Sequence, residues 1–162
     1  MLFRSCRLRK LRSNLSSHLE IITFFHEYDM KPAVAQSRGV FECIVTQEMC
    51  ASLDGVDIHP VYSTFWLSYH AEIAARRAID AFFDEGENAI GGELSLRHEA
   101  MCAVGDHVRI EARVRSVTAK KIVCDIEAFS VSRRIAVGHQ TQIVLPQTTI
   151  DALVQQAYDA VP

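Results

Sequence analysis

Three side chains able to move a proton or attack an electrophile stand in unusual company: Thr64, Glu72 and His98. Thr64 and Glu72 lie in VYSTFWLSYHAEIAARRAIDAFF, residues 61–83, which otherwise reads as an apolar helix. His98 ends the run GGELSLRH, where Leu94, Leu96 and His98 alternate with Glu93, Ser95 and Arg97. That period of two places His98 on the apolar face of a strand. An imidazole titrates in the neutral range, so it can take a proton from a hydroxyl or a water and pass it to a leaving group. A threonine hydroxyl needs such a base beside it to act as a nucleophile. A carboxylate in an apolar cleft holds its proton more tightly than in water and can serve as a base or an orienting group.

Each residue also has a plainer reading. With roughly 100° per residue, Phe65, Ser68, Ala75, Ile79 and Phe83 lie within about 60° of Glu72 on a helical wheel. Glu72 is thus on a mostly apolar stripe, but Arg76 follows one turn later, and an ion pair between them would be worth only tenths of a kcal/mol. Either Ser63 or Thr64 can be the helix N-cap. The free N–H groups of a helix start also suit a developing negative charge. A lone histidine on an apolar face is often a hydrogen-bonded core residue. Gly91 and Gly92 mark either a strand start or bulge, or a close approach of backbone to a ligand. His70 falls roughly 160° from Glu72 and reads as a core or partner-facing residue. His59, His107 and His139 share no ligand spacing, so no metal site is expected. Arg97, Lys120, Lys121, Arg133 and Arg134 offer cations for phosphate groups, with none singled out.

The elements that must hold these residues follow from the pattern. GVFECIVT is β-rich, and QEMCASLDG reads as one or two helical turns ending at Gly55. The long helix then runs for about 20 residues, roughly 30 Å, to a break at Gly86. Four β-rich runs come next. The second sets Val108, Ile110, Ala112 and Val114 against Arg109, Glu111, Arg113 and Arg115, a half-buried antiparallel strand. Short links between the runs predict hairpins. Ile150, Leu153, Val154 and Ala157 predict a terminal helix over about 147–160, capped by Thr148 and Asp151. Residues 1–29 carry Arg4, Arg7, Arg9, Lys10 and Arg12 before the first acid, Glu20, and are expected to be a poorly ordered extension or a mispredicted start before Met30. Residues 30–162 are expected to form one domain.

Composition bounds the partners. The chain has 162 residues and a net charge of −3, which makes no electrostatic case for nucleic acid. No apolar run approaches the roughly 20 residues of a membrane-spanning helix. The five cysteines include no C-x-x-C pair and read as free thiols in a reducing compartment, so a cytoplasmic location is expected. One long helix followed by an antiparallel meander belongs to the α+β class, with the sheet covering the helix. The sheet edge and its open face favour a homodimer.

Over residues of about 38–146 this order resembles the hotdog fold, in which a curled antiparallel sheet wraps a long central helix. Thr64 stands eight positions before Glu72, and Gly91 seven before His98. That series resembles the fluoroacetyl-CoA thioesterase-like branch of the hotdog thioesterases. The resemblance implies that Thr64, Glu72 and His98 form the catalytic group and that Gly91, with Gly92, lies at the substrate thioester. It implies hydrolysis of a small or medium acyl-CoA, with coenzyme A as part of the substrate and no cofactor. Ile58 and His59 occupy the segment where the specialised member has a gating phenylalanine, so selectivity for the fluoroacetyl group is not implied. Three other readings stay open: a non-catalytic acyl-CoA binding or sensing domain, a hotdog hydratase or dehydratase, although no Asp–His hydration spacing is present, and a purely structural dimer.

Overall fold

The computed structural model describes residues 32–161 except residue 132; the expectations for residues 1–29 lie outside the described residues. After a short 3-10 turn at Pro32–Gln36 come β1 (Arg38–Ile44), β2 (Cys50–Leu53) and β3 (Val56–Tyr62). Helix α1 (Thr64–Ile79) follows, then β4 (Glu87–His98), β5 (His107–Val117), β6 (Lys121–Phe129), β7 (Arg134–Pro146) and α2 (Gln147–Asp159).

Five strands form one antiparallel sheet in the order β1-β5-β6-β7-β4, and β2 pairs with β3 in a separate hairpin. The alternation expected for β5 is present: Val108, Ile110, Ala112 and Val114 are buried, as are Ile122, Cys124, Ile126 and Ala128 on β6. These side chains pack against α1, whose buried face is Leu67, His70, Ala71, Ala74, Ala75, Ala78 and Ile79. The alanines let the sheet come close. At Gly39 on β1 a Cβ would fall 2.1 Å from the Ala74 carbonyl oxygen, so helix and strand touch backbone to backbone. The result is the expected α+β arrangement, a curled antiparallel sheet packed on one central helix.

Three local expectations differ. The segment read as helical turns before Gly55 is a single 3-10 turn at Gln47–Met49 followed by the β2–β3 hairpin. Its turn is Asp54-Gly55, with φ of 52° and 76°, the left-handed pair that a tight hairpin demands. Helix α1 has 16 residues rather than about 20, because it tightens to a 3-10 turn at Asp80–Phe82 well before Gly86. The cap of α2 is Pro146, not Thr148: the Gln147 N–H donates to the Gly86 carbonyl at 2.7 Å, which ties the helix start to the turn before β4. Gln147 Nε2, in turn, donates to Asp151 Oδ1 at 2.8 Å.

Helix α1 packs chiefly on β1 and β5. Its other side, toward the β4 edge, stays open. Phe65 and Tyr69 are exposed there, and Ile90 on β4 is partly so. Among the described residues no helix is long and apolar enough to cross a membrane.

Candidate active site

The start of α1 is fixed by its neighbours. The Tyr62 N–H donates to the Cys102 carbonyl at 2.8 Å and the Ser63 N–H to the Met49 carbonyl at 2.9 Å. Ser63 is the N-cap: its backbone is extended and its hydroxyl accepts from the Trp66 N–H at 3.2 Å. Of the two cap candidates, the structure therefore selects Ser63. Thr64 becomes the first helical residue, and its hydroxyl is released from capping. Thr64 Oγ1 lies 3.1 Å from His98 Nδ1. With the proton of the neutral imidazole on Nε2, Nδ1 accepts from the threonine hydroxyl. His98 Nε2 is buried and makes no hydrogen bond among the described residues.

Gly91 and His98 share one face of the sheet only because β4 is bulged. Gly91 pairs with Gln142 and Glu93 with Thr141, which leaves Gly92 as the extra residue. Gly91 and His98 are separated by seven residues, an odd number. In a regular strand they would face opposite sides of the sheet. The bulge shifts the alternation by one, as such insertions do. Both residues then face α1: a Cβ on Gly91 would lie 2.7 Å from Glu72 Oε1, while His98 meets Thr64. Gly92 itself does not join them. A Cβ there would lie 3.3 Å from Ile143 Cγ1, on the other side of the strand.

Glu72 lies two helical turns beyond Thr64. It is exposed, at the rim of a groove of about 350 Å³ lined by Phe65, Ser68, Tyr69 and Leu94, rather than deep in a cleft. The reason is that the sheet leaves this side of α1 uncovered. Its Oε1 accepts from Gln140 Nε2 at 3.2 Å. It does not pair with Arg76. That guanidinium donates to Asp80, to the Ala89 carbonyl at 3.0 Å and to Asn88 Oδ1 at 2.5 Å, and it lies over the Phe83 ring.

A pocket of about 310 Å³ opens at the Thr64–His98 contact, bounded by Val61, Tyr62, His59, Ala100 and Met101. Glu99 stands at its edge, and hydrogen bonds from Arg97 and Arg134 hold its carboxyl below the usual range. Arg133 donates to the Met101 carbonyl at 2.7 Å. Three of the five cations considered from the sequence are thus gathered around this mouth. Lys121 instead begins β6, opposite Ile143.

His70 is a core residue. It is 3% exposed, stacked on Phe41, with Nδ1 2.7 Å from the Tyr62 hydroxyl and 3.9 Å from Cys43 Sγ. Burial lowers the histidine pKa and raises that of Tyr62, so the phenol donates to a neutral ring. Burial also raises the Cys43 and Cys102 thiols and pushes Cys124 up to about 11, which keeps them protonated and poorly nucleophilic. Among the described residues no group of three or more His, Cys, Asp or Glu side chains is placed to hold a metal.

Of the residues that build this region, the sequence offers Ser63 without deciding its role and gives no sign of Gln140. Gln140 sits in HQTQIVL, where the successive polar residues His139, Gln140, Thr141 and Gln142 carry no sign of which face is buried.

Comparison with known proteins bears on the family and the fold. The family described as FlK, fluoroacetyl-CoA-specific thioesterase, matches residues 45–148. No curated protein matches the chain. Among solved structures, a Thermus thermophilus hypothetical protein described as a thioesterase superfamily member is 33% identical, with a TM-score of 0.77 over 80% of this chain and 96% of its own. The fluoroacetyl-CoA thioesterase FlK superimposes with a TM-score of 0.70 at 21% identity, covering 79% of this chain and 97% of its own. A hot-dog-like protein from Thermanaerovibrio acidaminovorans gives 0.69 at 17% identity, over 76% and 92%. At those two lower identities the likeness speaks for the fold alone. The family match and the 33% identical structure carry the assignment: the chain belongs to the FlK family of the hotdog thioesterase superfamily.

Proposed function

We propose that this chain is an acyl-CoA thioesterase that hydrolyses small or medium acyl-CoA thioesters to the free acid and coenzyme A. The observation that carries the reading is the 3.1 Å contact between Thr64 Oγ1 and His98 Nδ1 at the wall of a 310 Å³ pocket. A hydroxyl paired with an imidazole is the minimum for attack on a carbonyl carbon. His98 takes the proton as Thr64, or a water that Thr64 orients, adds to the thioester carbon. The carbon–sulfur bond then breaks, and His98 returns the proton to the departing thiolate. If Thr64 is acylated, a water activated by the same imidazole releases the acid. The N–H groups at the start of α1 point out along the helix axis, where they suit the oxyanion. Glu72, with Gly91 against it, supports the step from the side of the groove. Arg97, Arg133 and Arg134 are the cations best placed for the phosphates of coenzyme A.

His59 lines the pocket and Ile58 precedes it, in the segment where the resemblance implies a gating phenylalanine for the specialised member, so the reading does not include fluoroacetyl selectivity. A homodimer belongs to the same reading. Among the described residues the β4 edge has no strand partner on its outer side, and Phe65, Tyr69 and Ile90 expose apolar surface beside it. Mass measurement in solution tests that part.

The activity is tested by following free thiol release over short, branched, aromatic and long acyl-CoAs. Turnover of the shorter members is expected. Ligand-dependent stabilisation without turnover of any member would favour an acyl-CoA binding or sensing role instead.

A further inference from the structure

We propose that Gln140 is a positioning residue of this site, whose side-chain amide holds the Glu72 carboxylate against the Gly91 backbone. The inference rests on the thioesterase reading above and adds a residue to it.

Gln140 is fully buried on β7, opposite Leu94 of β4 and Cys124 of β6. Its Nε2 donates to Glu72 Oε1 at 3.2 Å, and its Oε1 makes no hydrogen bond among the described residues. A buried amide satisfied at one end only is a poor way to fill a core, since desolvating the other end costs free energy. Methionine would fill a similar space with no polar atom to desolvate. The amide therefore has a purpose other than packing, and the one group it serves is Glu72. The orientation is forced, because turning the amide over would set Oε1 against a carboxylate oxygen.

The three residues meet at one point. A Cβ placed on Gly91 would lie 2.7 Å from Glu72 Oε1 and 3.8 Å from Gln140 Nε2. Glu72 is otherwise exposed on a side of the helix that the sheet leaves open, and no other hydrogen bond restrains its carboxylate among the described residues. Without Gln140 the side chain is free to swing into the groove. On the thioesterase reading, in which this carboxylate supports the step, a small displacement of it lowers the rate.

The test is a double-mutant cycle. Gln140→Met is expected to lower kcat by roughly ten- to a hundredfold, with KM little changed and the melting temperature not reduced. In a Glu72→Gln background the same replacement is expected to cost nothing further in kcat. An unchanged kcat in Gln140→Met, or an equal loss in both backgrounds, would overturn the proposal. The side-chain amide resonances of Gln140 read the same contact without turnover. They are expected to move in Glu72→Ala, and resonances that stay in place would also overturn it. If those resonances move but the wild-type chain hydrolyses no acyl-CoA, the thioesterase reading falls while the contact stands.

Discussion

Glu72 and Arg76 stand one helical turn apart on α1, in the spacing of an ion pair, and they do not pair. Arg76 is engaged by Asp80, Asn88 and the Ala89 carbonyl, while Glu72 is held by Gln140 of β7. The arginine clamps the end of the helix to the start of β4, and the carboxylate is left for the groove. The two substitutions should therefore separate. Arg76→Ala is expected to lower stability by about 1–2 kcal/mol with kcat intact, and chemical denaturation beside steady-state kinetics checks this. A kcat loss matching that of Glu72→Gln would mean that the two side chains do act together.

Gly91 has room for a side chain only if Glu72 moves. In Gly91→Ala the new methyl would meet the carboxylate of Glu72, the mobile end of a flexible side chain. The protein should fold, with activity reduced roughly tenfold or more by displacement of that carboxylate. Deleting Gly92 should be harsher. It removes the bulge, and Gly91 and His98 then fall on opposite faces of β4. Circular dichroism and turnover measured on both variants distinguish a lost alignment from a lost fold. A Gly92 deletion that keeps its rate would show that the bulge does not align the site.

The bulge also explains what was hard to read in the sequence. Strict alternation from Leu94 to His98 was visible, and so was the apolar helix carrying Thr64 and Glu72. The odd spacing between Gly91 and His98 conflicted with a regular strand, and only the register of β4 against β7 resolves it. The β2–β3 hairpin is hidden in the sequence for a different reason. QEMCASL has helix-compatible residues, and a glycine such as Gly55 suits a helix end as well as a hairpin turn, since both use a left-handed residue. Gln140 was illegible because its importance lies in a contact across 68 positions of sequence.

Ser63 and Thr64 divide two tasks that one residue often performs. Ser63→Ala is expected to cost about 1 kcal/mol of stability, since it removes the cap of α1. Thr64→Ala should leave the denaturation midpoint nearly unchanged, because Thr64 is exposed and caps nothing. A Thr64→Ala variant as unstable as Ser63→Ala would place the cap on the wrong residue.

Glu111 sets part of the acid response of the sheet. Its side chain is buried on the outer face of β5, hydrogen-bonded by Arg109 at 2.7 Å, with Arg113 at 2.7 Å in ion-pair contact and Arg38 at 3.7 Å. The Arg109 hydrogen bond, followed by the charges of Arg113 and Arg109, holds its carboxyl below the ordinary range against the opposing effect of burial. A folded-state pKa below the unfolded one gives stability that is complete above the unfolded value, about 4.3, and is lost as pH falls through the folded value. Glu111→Gln should therefore lower stability at neutral pH by about 1 kcal/mol, a modest amount because the guanidinium partners are solvent-exposed. The gap to wild type should close in acid. A gap that is constant down to low pH would assign the loss to packing instead.

The central claim is that Thr64 and His98 act as one unit on a thioester, and their joint removal tests it most directly. On the best acyl-CoA of the panel, His98→Ala is expected to lower kcat by about 10²–10⁴-fold. Thr64→Ala should fall in the same direction, and the double variant should be no slower than the slower single. If His98→Ala keeps the wild-type rate, or if the two losses simply multiply, then the 3.1 Å contact between these side chains is not the working part of the site.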